Sequence, residues 1–231
     1  MSKGDKKILL EQFGSNPEYQ APQAGWWVQP ETHFDDALPL TLVLLDGSGW
    51  SVAEVVEEVR AAEQVFSQCK VSFSSILLVE VAANQAMEDM QAPPEEEDTK
   101  DSSELWDARF NMDVELLKGL GFSRPLVFFR KFADSYSYPE SLFAGASDFF
   151  SPLSGTAYVT SHSRGNWTDA LSTAHELAHL LADDGGHNAL PDNLLCLDYD
   201  QSDGNVCGSN TVLTAEQCAR VTGWVDRHSS E

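Results

Sequence analysis

Apolar and polar positions along this chain follow two periods, one of strands and one of helices. PLTLVLLDG, Pro39–Gly47, is an almost unbroken apolar run closed by Asp-Gly, which predicts a buried strand and a turn. SVAEVVEEVRAAEQVFSQC comes next, with Val52, Val55, Val56, Val59, Ala62 and Phe66 at helical spacing. Ser51 with Glu54 three residues on makes a capping box, so a helix is predicted from about Val52 to Gln68. VSFSSILLVEVAA, Val71–Ala83, and RPLVFFRKF, Arg124–Phe132, read as strands. Between them, residues 84–104 form an acidic loop with a Pro pair, and ELWDARFNMDVELLKGLG suggests a helix ending at Gly119 or Gly121. An aromatic loop, Ala133–Leu153, precedes a further short strand, GTAYVTSHS, Gly155–Ser163.

The strongest helical pattern is TDALSTAHELAHLLADDGG, with Thr168 as a fair N-cap and a stop after Ala182, where Asp and Gly follow. A last helix, TAEQCARVTGWVDRH, opens on Thr214 with Gln217 completing a second capping box. Residues 1–38 show no sustained period and read as an arm with a short helix near Lys6–Phe13. The reading is α/β: an arm, then one domain over residues 39–231. Its sheet lies within residues 39–182, and residues 183–231 are an irregular portion ending in a helix.

The length of 231 residues and an apolar content of 42%, with twelve Phe and six Trp, suit a globular domain with a good core. The formal net charge of -23 argues against nucleic acid as a partner, since phosphates would be repelled. No apolar run approaches the roughly 18 residues of a membrane span. The opening MSKGDKKILLEQFG has too short an apolar stretch for a signal peptide. The four cysteines permit two disulfides. Cys196 and Cys207 would close a short loop at low entropic cost. That leaves Cys69, at the end of the first helix, and Cys218, on the last, to staple the two together. Such pairing requires an oxidising compartment, and four buried thiols in a cytoplasmic protein are the alternative.

The chemistry concentrates in HELAHLLADDGGH, Val-free and histidine-rich, with three of the six histidines. His175 and His179, four apart on a helix, project from one face and can reach one ion. Glu176, next to the first, can touch a metal-bound water without ligating the metal, and could move a proton. The H-E-x-x-H pattern arises by chance in roughly one chain in a hundred. Here the rest of the helix, Leu171, Ala174, Leu177, Ala178 and Leu181, is apolar and can be buried, which favours a site over a surface helix with solvated histidines. Catalytic zinc takes three protein ligands and keeps one open position. After the helix, Gly185–Gly186 let the chain turn and bring back His187; Asp183 and Asp184 are the rival third ligands.

These residues resemble the metzincin clan of zinc endopeptidases, whose motif is H-E-x-x-H-x-x-G-x-x-H followed by a turn carrying a Met beneath the metal. DNLLC and LTAEQC look like bacterial members in which an NLM-type turn precedes an LTxxQC helix. The match spans roughly Leu40 to Trp224, with only the motif region specific. Two departures stand out. His187 lies eight residues after His179 where the clan has six, with Ala182 at the usual Gly position. Leu195 stands where the Met would be. The resemblance implies a twisted mixed sheet, with Gly155–Ser163 as the edge strand that pairs with an extended peptide. It implies one catalytic zinc on His175, His179 and His187, with Glu176 as general base and acid, acting on a protein or peptide substrate. A zinc-bearing binding module without catalysis, and a zincin with an acidic third ligand, are the alternatives. The expected setting is a secreted or periplasmic monomer, with the cytoplasm as the other location. DYDQSDGN, Asp198–Asn205, reads either as a polar loop or as a Ca2+ site; it lacks the EF-hand glycine and glutamate. Tyr199 reads as an ordinary loop residue rather than an oxyanion donor. His33, His162 and His228 read as surface residues.

Overall fold

The structure, a computed structural model, describes residues 6–8, 24–81, 125–130, 145–148, 155–160, 171–183, 186–188, 190–196 and 211–228. Its strands are β1 (Lys6–Ile8), β2 (Ala24–Val28), β3 (Asp36–Leu45), β4 (Val71–Val81), β5 (Leu126–Arg130), β6 (Gly145–Asp148) and β7 (Thr156–Thr160). They form one seven-stranded sheet in the order β1-β2-β4-β3-β5-β7-β6. The four central strands, β4, β3, β5 and β7, run parallel, and β2 and β6 flank them antiparallel. The fold is therefore a mixed α/β one, as the order of elements predicted.

Parallel central strands are buried on both faces, which explains the apolar runs of β3 and β5. Leu38, Leu40, Leu42 and Leu44 of β3 and Val127 and Phe129 of β5 join the core that the helices complete. The alternate residues Val43, Leu45, Leu126 and Phe128 are buried as well. The β3–β4 register slips between Leu38 and Pro39. A proline has no N–H to give the ladder and is tolerated at such a bulge.

Helix α1 (Val52–Phe66) crosses from β3 to β4 and has the capping box read from Ser51 and Glu54. It ends two residues before the expected Gln68, in a 3-10 turn at Ser67–Cys69, where Lys70 takes a left-handed φ of 59°. Helix α2 (Ser172–Ala182) packs against α1, β6 and β7, and helix α3 (Ala215–His228) against α2, β3 and β4. The Thr214–Gln217 capping box of α3 is present: Gln217 N donates to Thr214 Oγ1 (3.1 Å) and Thr214 N to Gln217 Oε1 (2.8 Å). A disulfide joins Cys69 to Cys218, as expected, and ties α3 to the end of α1. Cys196 is disulfide-bonded too; Cys207, its expected partner, lies outside the described residues.

Four expectations are corrected. Gly155–Ser163 does not supply the edge of the sheet: β7 has β5 on one side and β6 on the other. Among the described residues the outermost strand there is β6, which falls inside the stretch read as an aromatic loop. A four-residue strand, GASD, has no apolar alternation to betray it. Near the start of the chain, Lys6–Ile8 is a strand and not part of a helix, and it pairs with Ala24–Val28. These strands extend the sheet beyond β4, so pairing with a distant edge decided the conformation of a segment with no period of its own. Helix α2 begins at Ser172 with Leu171 as its N-cap residue, later than the start expected after Thr168. Thr168 itself, the predicted helix before Gly121 and the acidic loop lie outside the described residues. Among the described residues, no helix is long and apolar enough to cross a membrane.

Candidate metal centre

Helix α2 carries the first two histidines into the interior. Every residue from Thr173 to Ala182 is buried, the apolar Ala174, Leu177, Ala178 and Leu181 completely so. Its first turn has no cap of its own: Leu171, the N-cap residue, makes no side-chain hydrogen bond. The acceptor comes from α1, where the buried Glu58 carboxylate takes a hydrogen bond from Thr173 N at 3.0 Å. A carboxylate at a helix N-terminus meets both the unpaired N–H groups and the positive end of the helix dipole. Sequence reasoning missed Glu58, although it sits three residues after Val55 and four before Ala62, on the apolar stripe of α1.

At the other end, the helix stops at Asp183, whose backbone turns left-handed at φ 49°. Its N–H closes the last turn onto His179 and Leu180 carbonyls. Asp183 is exposed and, among the described residues, belongs to no group that could hold a metal; Asp184 lies outside the described residues. The chain then returns His187 to the helix. Its Nε2 is 3.1 Å from His175 Nε2 and 3.1 Å from His179 Nε2, and those two are also 3.1 Å apart. The three nitrogens make an equilateral triangle. His175 and His179 are buried, at 6% and 5% exposure, while His187 is partly exposed.

Protonation follows from the neighbours. His175 Nδ1 lies 2.8 Å from the carbonyl oxygen of Leu194, which can only accept, so Nδ1 carries the hydrogen and Nε2 the lone pair. Burial pushes the pKa of His175 down to about 3, and its neighbours His179 and His187 push the same way, against the Leu194 carbonyl. A neutral imidazole with its lone pair aimed at two others is a ligand arrangement. Three nitrogens held about 2.0–2.1 Å from one ion at near-tetrahedral angles stand about 3.3 Å apart. The observed triangle fits that within a few tenths of an ångström. Among the described residues this is the group of three or more His, Cys, Asp or Glu whose ligand atoms converge closely enough for a metal.

Glu176 follows His175 on the buried part of α2, at 6% exposure. Leu195, in the place the resemblance gave to a Met, is fully buried in the same core as Ala174, Leu177 and Ala178. It lies in a tight turn, Asn193–Cys196, closed by Cys196 N donating to Asn193 O (2.9 Å). His228 is held away from the site: its ring stacks on Trp224 and its Nδ1 meets the Trp224 carbonyl oxygen at 2.8 Å. His33 is exposed. His162, Tyr199 and the Asp198–Asn205 segment lie outside the described residues.

Comparison with known proteins adds the following. No family model matches the chain, and no curated protein matches it in sequence. Among solved structures it is similar to the "Crystal Structure of metalloproteinase-II from Bacteroides fragilis", at 13% identity and a TM-score of 0.47. The similarity covers 90% of this chain and 58% of that one, so the chain spans less than two thirds of its neighbour's length.

Proposed function

We propose that this protein is a zinc-dependent endopeptidase of metzincin type, acting on a protein or peptide substrate. The observation that carries the reading is the convergence of three imidazole Nε2 atoms, each 3.1 Å from the other two, with the buried Glu176 next to His175 in the helix. His175, His179 and His187 would hold the ion. When bound, zinc supplies a Lewis acid and lowers the pKa of water to near neutrality. Glu176 would be the base: its carboxylate would take a proton from the attacking water and return it to the departing amide nitrogen. The Leu194 carbonyl keeps His175 in the tautomer that offers Nε2. On the β7 side of the sheet the outermost strand is β6, so an extended peptide adding to the sheet would pair there. The cystines fit an oxidising location outside the cytoplasm.

A zinc-bearing module without catalysis would need the three histidines and not Glu176. The experiment is zinc content together with cleavage of an unfolded protein, for the parent and for Glu176→Gln. The parent should carry about one zinc and cleave, and lose cleavage to a chelator. Glu176→Gln should keep the zinc and lose nearly all turnover. Cleavage by exhaustively chelated protein, or full activity in Glu176→Gln, would overturn the reading. His187→Ala should lose zinc, while Asp183→Ala should keep it.

A further inference from the structure

Two carboxamides, Asn193 in the tight turn and Gln217 in the first turn of α3, face each other in the interior, both buried. Asn193 Nδ2 donates to Gln217 Oε1 at 2.7 Å, and Gln217 Nε2 donates back to Asn193 Oδ1 at 3.2 Å. The pair reaches toward both sides of the candidate metal centre. Asn193 Oδ1 also accepts from Leu195 N (3.0 Å), and Asn193 Nδ2 also donates to Val212 O (3.0 Å). Leu194 N donates to the same Val212 carbonyl at 2.8 Å. These bonds fix the peptide whose carbonyl, Leu194 O, meets His175 Nδ1. On the other side, Asn193 Oδ1 accepts from Asn188 Nδ2 at 2.7 Å, and Asn188 N donates to Leu195 O at 2.9 Å. Asn188 is the residue after His187.

We propose that Asn193 and Gln217 are a positioning pair that sets metal affinity from α3, by locking the acceptor of His175 and the backbone that carries His187 into one register. The proposal rests on the zinc reading above. The physical case is one of ordering. His187 lies beyond the end of α2, and each tie that fixes its backbone before the metal arrives lowers the ordering cost of binding. Asn188, bonded to Asn193, supplies one such tie. An Asn side chain buried with five hydrogen bonds to four residues has one orientation, and so has the turn it organises. Gln217 does a second job at its own helix start, which ties the turn to the end of the fold stapled by the neighbouring Cys218.

The test compares Gln217→Met, which keeps the length of the side chain and removes its hydrogen bonds, with Thr214→Val. The latter removes the Thr214 hydroxyl that caps α3 and leaves the carboxamide pair intact. Asn188→Asp, at a partly exposed position, keeps the acceptor for Leu190 N and removes the donor to Asn193. Zn2+ and Co2+ dissociation constants are measured on each full-length chain, with the visible spectrum of the Co2+ form and a denaturation curve. Gln217→Met and Asn188→Asp should bind both metals about 10–100-fold more weakly, the size of loss seen when the partner orienting a ligand is removed. Their Co2+ spectra should change, while Thr214→Val loses stability and keeps the parent's affinity and spectrum. If Gln217→Met does not fold, Asn188→Asp decides alone. Affinities within twofold of the parent in the folded variants, or an equal loss in Thr214→Val, overturn the positioning role. A parent that binds neither metal overturns the zinc reading and this proposal with it.

Discussion

Removing the carboxylate that α1 lends to α2 should destabilise the whole domain, and the structure sets the size. Glu58 is 5% exposed and accepts from Thr173 N at 3.0 Å across a sequence gap of 115 residues. A hydrogen bond to a charged group is worth about 1.5–3 kcal/mol. Half a unit of positive charge at the helix end, about 4 Å from a carboxylate at an effective dielectric of about 20, gives about 2 kcal/mol. The two figures describe the same contact and are not added. Glu58→Ala should therefore lose about 2–3 kcal/mol. In a domain of this size that lowers Tm by roughly 5–10 °C. Glu58→Gln keeps an acceptor and loses the charge, so about 1 kcal/mol should go. Urea unfolding of the metal-free protein measures both, with Glu57→Ala as control. Glu57 is the exposed neighbour, and its loss should stay within about 0.5 kcal/mol. Should Glu58→Ala unfold at the same urea concentration as Glu57→Ala, the capping argument is wrong.

Three further outcomes follow from named contacts. His175 titrates near 3 in the folded metal-free protein against 6.5 in the unfolded chain, so the unfolded state binds the proton first. Stability should then be unaffected by this group above about pH 6.5 and fall progressively as pH drops from there toward about 3, by a few kcal/mol at most; urea midpoints at pH 7.5 and 5 in chelator check it, with a smaller drop expected in His175→Ala. Leu195→Ala, at a fully buried position, should cost about 2–5 kcal/mol in thermal unfolding, while Leu195→Met should cost less than about 1.5 kcal/mol. Replacing Cys69 and Cys218 together by Ser opens a link that spans 149 residues of sequence and should cost about 2–4 kcal/mol in denaturant unfolding.

Local patterns determined much of this protein. The apolar runs of β3, β4 and β5, the Ser51 and Thr214 capping boxes and the histidine spacing on α2 all depend on neighbours within a turn or a strand, and the chain states them directly. So does the pairing of His175 with His179, since four residues are one helical turn. His187 was legible only as one of three candidates, because the path of a loop with two glycines is not written in its residues; that its ring returns to 3.1 Å from the other two is visible only in the folded chain. Tertiary structure alone decided the rest. The sheet edge passed to β6 because strand order is a long-range matter with no local period. Lys6–Ile8 became a strand because an edge was there to pair with. Glu58 caps a helix 115 residues away, and the Asn193–Gln217 pair joins residues 24 apart, so neither contact has a sequence signature beyond a polar residue at a buried place. Burying such groups is unfavourable unless a partner meets them, and only the folded chain brings the partner.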